Sequence, residues 1–193
     1  MQEKEILDIF KQCEAYQQGH FKLSSGLHSG FYLQCAKVLQ DPVIAERLCR
    51  FLAHKMGMIK PDIVIGPAMG GIVISYEMAR VLGTRSIFSE RDKDGKMALR
   101  RGFVLPSGSN VLIAEDVLTT GKSIKEVLEL MKDDGISVVG VACLIDRSVE
   151  LVELQGIRVY SLLRLNIPVY KETDCPLCKE GIPIVKPGSR MIV

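Results

Sequence analysis

The sequence predicts an α/β fold: a parallel sheet flanked by helices. Three observations carry this. Short apolar runs recur at Ile63–Ile65, Val111–Ala114 and Val138–Ile145, the pattern of strands buried on both faces. Stretches with helical spacing separate them, and strands that alternate with helices imply parallel pairing. Two of the runs end in small-residue turns that lead into a helix, Gly66-Pro67-Ala68-Met69-Gly70-Gly71 and Thr119-Thr120-Gly121-Lys122-Ser123. In such sheets ligands bind at the carboxyl ends of the strands. The Gly66 turn, the Glu115–Gly121 turn and Arg147 all fall at such ends.

In order along the chain, Ile6, Leu7, Ile9, Phe10 and Cys13 form one apolar stripe, so a helix is expected from about Glu3 to Ala15. The segment from Gly19 to Leu33 has glycines, serines, aromatics and two of the three histidines, without helical period. It reads as strand and turn. His20 and His28 suit loop hydrogen bonding better than a general-base role. Asp41-Pro42 marks a helix start, with Asp41 as N-cap and Pro42 in the first position. Val43, Ile44, Leu48, Phe51 and Leu52 give that helix its buried face. A strand is expected from Pro61 to Gly66, then a glycine-rich turn and a helix to about Leu82. Arg85 to Ser89 is a third strand pattern. Residues Glu90 to Gly102 are polar, basic and without core period, as in a solvated hairpin.

The central stretch is Val111–Ser123. A strand from Val111 to Ala114 is followed by two acids, Glu115 and Asp116, and then by the turn. Beyond it Ile124, Val127, Leu128 and Met131 repeat at helical spacing. Free N–H groups at a helix start, with the positive helix end, favour a phosphate. Gly121-Lys122-Ser123 is like the end of a Walker A loop, but the first glycine of that motif would fall at Asp116. Two carboxylates would also repel a triphosphate. They suit a ligand that carries hydroxyls as well as phosphate, such as a ribose phosphate. Asp133-Asp134-Gly135 is expected to end the helix. After the Val138–Ile145 strand and Asp146-Arg147, a shorter helix from Ser148 is expected to lead to a strand at Ile157–Leu163.

The chain has 193 residues, 47% hydrophobic and 25% charged, enough for one domain spanning 1–193. The net charge of +2 gives no argument for nucleic acid or an anionic membrane. No run reaches the ~18–20 apolar residues of a membrane span. The first residues include Glu3, Lys4 and Glu5 rather than an apolar signal core, so a cytoplasmic protein is expected. Cys13, Cys49 and Cys143 read as small buried hydrophobes in reduced form.

Residues 111–123 closely resemble the phosphoribosyl-pyrophosphate (PRPP) signature of the type I phosphoribosyltransferases. The pattern Ser25-Gly26-Leu27-His28-Ser29-Gly30-Phe31-Tyr32 resembles the hood segment of their orotate-using members. The resemblance runs from about Gly19 to Val193. It implies a type I phosphoribosyltransferase-like sheet with an N-terminal hood, built from residues 1–40 and the C-terminal tail. The implied reaction transfers ribose 5-phosphate from PRPP to orotate, giving orotidine 5′-monophosphate and pyrophosphate. The implied PRPP-binding residues are Glu115, Asp116, Val117, Leu118, Thr119, Thr120, Gly121, Lys122 and Ser123, with Met69 and Gly70 in the pyrophosphate loop. Many members carry a lysine in that loop; here the place is taken by Gly70.

The resemblance puts orotate against Thr119, Arg147, Ser25 and Tyr32, with Gly26, Ser29 and Leu33 near the base. Residues 90–102 become a mobile catalytic loop that reaches across a homodimer, with Lys96, Arg91 and Lys93 as pyrophosphate contacts. The histidine familiar in that loop is absent here. Mg²⁺ is expected to enter on the pyrophosphate with few direct protein ligands. Arg147 suits a planar carboxylate, or alternatively an inter-element salt bridge. Two other functions stay open: a phosphoribosyltransferase for another nucleobase, and a non-catalytic PRPP-sensing regulator. The tail carries Cys175-Pro176-Leu177-Cys178, half of a zinc site with no evident partner pair or histidine. It reads as an inert turn, an inter-subunit metal site or a redox pair.

Overall fold

The computed structural model describes residues 1–23, 25–132, 135–150 and 152–187. Its main helices begin close to where the sequence places them. Helix α1 (Glu3–Gln12) buries Ile6 and Phe10, and α2 (Ala36–Leu39) is one turn long. In α3 (Pro42–Met56) the Asp41 carboxylate accepts the N–H groups of Val43 at 2.9 Å and Ile44 at 3.2 Å. Such a cap contributes about 1 kcal/mol. Helix α4 (Gly70–Leu82) follows the glycine-rich turn, and α5 (Lys122–Glu129) follows the central turn. A short α6 (Pro176–Lys179) lies in the tail.

The main sheet has six strands: β3 (Ile63–Pro67), β4 (Arg85–Arg91), β5 (Met97–Leu99), β6 (Asn110–Leu118), β7 (Ser137–Asp146) and β8 (Val159–Arg164). Their order is β5-β4-β3-β6-β7-β8. Every neighbouring pair is parallel except β4–β5, as the alternation of strands and helices predicts. Residue parity sends Val64, Leu112, Ala114, Ala142 and Leu144 into a core shared with Ile6, Leu48, Leu52, Ile74 and Met78 of α1, α3 and α4. Ile63, Ile65, Val111, Ile113, Val141 and Cys143 enter the opposite core, with Ile124, Val127 and Leu128 of α5. The central strands are therefore apolar at successive positions, the run that identified them. Truncating one such residue, Leu112→Ala for instance, costs about 2–5 kcal/mol.

A second, antiparallel sheet lies at the chain ends. Strand β1 (Tyr16–Lys22) pairs with β2 (His28–Leu33), which pairs with β9 (Val169–Tyr170). The segment after α6 returns to β1: Lys22 donates to the Val185 carbonyl and Val185 donates to that of His20, both at 2.8 Å.

Three expectations change. The strand before the central turn does not stop at Ala114. Parallel pairing with β7 continues to Leu118 against Asp146, so both acids lie within β6. No helix forms from Ser148 among the described residues. Asp146 Oδ1 instead accepts the Ser148 N–H at 2.9 Å and its hydroxyl at 2.6 Å, and the chain continues irregularly, burying Leu154. Helix α5 ends at Glu129, short of the stop expected at Asp133-Asp134-Gly135, of which Asp133 and Asp134 lie outside the described residues. No helix among the described residues is long and apolar enough to cross a membrane.

Candidate active site

The turn after β6 forms a small pocket of about 130 Å³, lined by Glu115, Val117, Leu118, Thr119, Thr120, Gly121, Lys122, Ser123 and Ile124. Gly121 makes the turn possible. It has φ 71°, and a Cβ there would stand 2.5 Å from Val152. The Thr120 hydroxyl accepts the Lys122 N–H at 3.4 Å. The first turn of α5 leaves further N–H groups without intrahelical acceptors, which suits a phosphate. The residues predicted as a phosphate cradle are thus gathered in one place.

Glu115 is buried and Asp116 is half-buried. Burial pushes the Glu115 carboxyl well above the ordinary glutamate range, and the adjacent Asp116 charge adds to the shift. Asp116 is fixed by its Oδ1, which accepts the Val117 N–H at 2.8 Å. Across from it is the start of α4. A Cβ on Gly70 would lie 2.7 Å from Asp116 Oδ1, so a side chain at 70 would displace that carboxylate. Met69 beside it is 81% exposed. The loop with Met69 and Gly70 therefore faces the acid pair through backbone, as the missing lysine implies.

Next to the cradle opens a cleft of about 700 Å³. Thr119, Thr120 and Lys125 line one side. Arg147, Val149, Glu150, Val152 and Glu153 line another, and Lys22, Ser25, Leu27 and Tyr32 come from the β1–β2 hairpin. The Arg147 N–H donates to the Leu118 carbonyl at 2.9 Å, which fixes its backbone beside the cradle. Its side chain is half-buried, and desolvation alone lowers its pKa. No ion pair to its guanidinium occurs among the described residues. Asp146 turns away to Ser148 and to Arg164, 3.8 Å off. For the alternative of a structural salt bridge, no carboxylate among the described residues lies within ion-pair distance of Arg147, although Glu150 and Glu153 line the same cleft.

The hood residues divide. Ser25 and Tyr32 reach the cleft. Ser29 is buried and donates to the Pro168 carbonyl at 3.3 Å, Leu33 enters the core, and Gly26 is an exposed turn residue at φ 83°. Sequence reasoning missed Lys22 and Lys125 as cleft residues. Lys125 was legible in principle, one turn beyond Lys122 on α5. Lys22 was not, because its place depends on how the hairpin docks.

The 90–102 segment is a hairpin, β4 turning into β5. Asp92 Oδ1 accepts the N–H groups of Asp94 and Lys96, each at 2.9 Å. Arg91 pairs with Glu126 at 2.6 Å, whereas Lys93 and Lys96 are exposed. None of the three lines the cleft of its own chain.

The tail cysteines do have histidine neighbours, which corrects the reading of an isolated half-site. His20 and His28 face each other across the β1–β2 hairpin, with ring centroids 5.0 Å apart, and Cys175 and Cys178 lie against them. The antiparallel hairpin and the returning tail bring together residues about 150 positions apart in the chain.

Comparison with known proteins agrees with this geometry. The family model described as "Phosphoribosyl transferase domain" matches residues 37–159. The orotate phosphoribosyltransferase of Caldicellulosiruptor saccharolyticus is 52% identical over 192 residues, covering 100% of both chains. That of Caldanaerobacter subterraneus is 49% identical over 192 residues, also covering 100% of both. Among solved structures, orotate phosphoribosyltransferase from Aeropyrum pernix superposes with a TM-score of 0.72 at 26% identity, over 83% of this chain and 93% of that one. With its fold, its acid-bearing cradle and relatives matched end to end, the chain belongs to the orotate phosphoribosyltransferase family.

Proposed function

We propose that the protein transfers the ribose 5-phosphate group of PRPP to N1 of orotate, releasing orotidine 5′-monophosphate and pyrophosphate, a step in pyrimidine nucleotide synthesis. The observation that carries the choice of base is Arg147. A half-buried guanidinium with no ion-pair partner among the described residues, in the cleft beside the cradle, matches the planar carboxylate of orotate, which uracil lacks. Thr119 approaches the base from the cradle side, and Ser25 and Tyr32 from the hood.

The other residues serve PRPP. The 119–123 turn takes the 5′-phosphate, and Glu115 and Asp116 take the ribose 2′- and 3′-hydroxyls. Met69 and Gly70 bring backbone N–H groups to the pyrophosphate. The carbon–oxygen bond at ribose C1 breaks as orotate N1 attacks, through a transition state with positive charge on the ring. The protein's part is orientation and charge stabilisation. Mg²⁺ would arrive bound to the pyrophosphate, with much of its hydration and few direct protein ligands. When bound there, it would supply positive charge to the pyrophosphate leaving group.

The working unit is a homodimer in which Lys93, Lys96 and Arg91 of one chain act at the partner's cleft. Two features support this. These cations stand outside their own cleft, and Met69, Val73 and Tyr76 form an exposed apolar stripe along the start of α4. The protein works in the cytoplasm, on small molecules only.

Replacing Arg147 by Ala tests the base assignment. Removing one partner of a desolvated charge pair costs about 2–5 kcal/mol, roughly 30- to 4,000-fold. Orotate kcat/KM should fall on that scale while PRPP affinity, measured by calorimetry, is kept. Equal loss of both ligands would remove Arg147 from this role.

A further inference from the structure

We propose that His20, His28, Cys175 and Cys178 form a structural Zn²⁺ site that fastens the N-terminal hairpin to the C-terminal tail. One ligand atom from each residue lies within 4.8 Å of the other three. His20 Nε2 is 3.1 Å from His28 Nδ1, 3.5 Å from Cys175 Sγ and 3.6 Å from Cys178 Sγ. His28 Nδ1 is 3.2 Å from Cys178 Sγ. Ligands at Zn–S of about 2.3 Å and Zn–N of about 2.0–2.1 Å on a tetrahedron stand roughly 3.3–3.8 Å apart. These four separations match such edges to within a few tenths of an ångström, and the two from Cys175 to His28 and to Cys178 lie within 4.8 Å.

The tautomers agree with the geometry. His20 Nδ1 lies 2.7 Å from the Ile182 carbonyl. A carbonyl only accepts, so Nδ1 carries the proton and Nε2 turns its lone pair inward. This backing of a histidine ligand by a carbonyl is the usual outer contact of zinc sites. His28 Nε2 is buried without a hydrogen-bond partner, while its Nδ1 faces the cluster. Two thiolates and two neutral imidazoles make a site with no net charge around a divalent ion, which tolerates burial. Nitrogen and sulfur donors without a carboxylate select Zn²⁺ over Mg²⁺ or Ca²⁺. Binding releases the two thiol protons and needs no oxidant.

Protein atoms fill all four positions, so the site is structural rather than catalytic. The elements it joins are weak alone: a two-stranded hairpin, the two-residue β9 and the four-residue α6. The segment that carries Lys22, Ser25 and Leu27 into the cleft lies between the two histidine ligands.

The test uses the full chain, purified without added metal and with its thiols kept reduced. Elemental analysis should find about one zinc per chain. Refolding with Co²⁺ should give the ligand-field and thiolate charge-transfer bands of a tetrahedral site. A Zn²⁺ chelator, with no substrate or Mg²⁺ present, should lower Tm. Cys178→Ala, and Cys175→Ser if that variant folds, should bring zinc down to background and abolish the Co²⁺ bands. A wild-type chain that keeps no zinc after Zn²⁺ is supplied, or has Cys175 and Cys178 joined as a disulfide, would overturn the proposal. So would a Cys178→Ala protein that still carries one zinc per chain.

Discussion

A buried carboxyl group beside a second acid is unfavourable in a protein without ligand, and Glu115 is such a group. Its folded pKa is raised by burial and by Asp116. The unfolded chain gives up this proton near pH 4.3, whereas the folded chain keeps it to a higher pH. The contribution to stability is fully present below about 4.3 and is lost as pH rises through the raised folded value. Glu115→Gln keeps the shape and an acceptor for the Asp116 N–H, now 3.1 Å from Glu115 Oε1. The variant should raise the Tm of the ligand-free protein at neutral pH and flatten its decline with pH, yet weaken PRPP use. Thermal melts across pH check the first part and PRPP titration the second. Equal pH slopes for variant and wild type would mean that Glu115 ionises normally. The group is held against its preference where ribose hydroxyls can use it, a common position for functional residues.

At the scale of elements, the two strand–turn–helix units were legible because each joins a two-face apolar run to a turn with a steric reason for its small residues. Their glycines and small residues, set between an apolar run and a helical pattern, mark both turns in the sequence; the structure adds the steric reasons, Gly70 close to Asp116 and Gly121 with a left-handed backbone. The course of residues 147–150 and 152–156 was not legible. Their apolar residues sit at spacings that a short helix would share, and only the docking of Val152 and Leu154 around Gly121 shows why they stay irregular. The histidine–cysteine cluster was hidden for a related reason: it is made by sheet pairing between distant segments, and no local spacing records it. The 90–102 hairpin gives an element-scale prediction. Mixing an Arg91→Ala, Lys96→Ala double variant with an Asp116→Asn variant should restore part of the activity, since a mixed dimer holds one site with both parts intact. No recovery, with subunit exchange verified by a mass tag, would confine the hairpin's action to its own subunit.

For the whole molecule, one parallel sheet ends its strands on a single edge, and the small antiparallel sheet brings Lys22, Ser25 and Tyr32 to the same cleft. The sheet was predictable from periodicity alone. The closing of the cleft by both chain termini was implied by family resemblance, and the residues that do it separate only in three dimensions. Ser25 and Tyr32 face the ligand space, while Ser29 and Leu33 of the same motif face the interior. On the proposed function, this cleft joins PRPP to a nucleobase bearing a carboxylate. The most direct measurement follows the absorbance of orotate, uracil and adenine in turn, each with PRPP, Mg²⁺ and purified protein, with pyrophosphate release recorded in parallel. Orotate should be lost rapidly with equimolar pyrophosphate, with no comparable turnover of uracil or adenine. Uracil consumed as readily as orotate, or orotate left untouched while another base reacts, would contradict it.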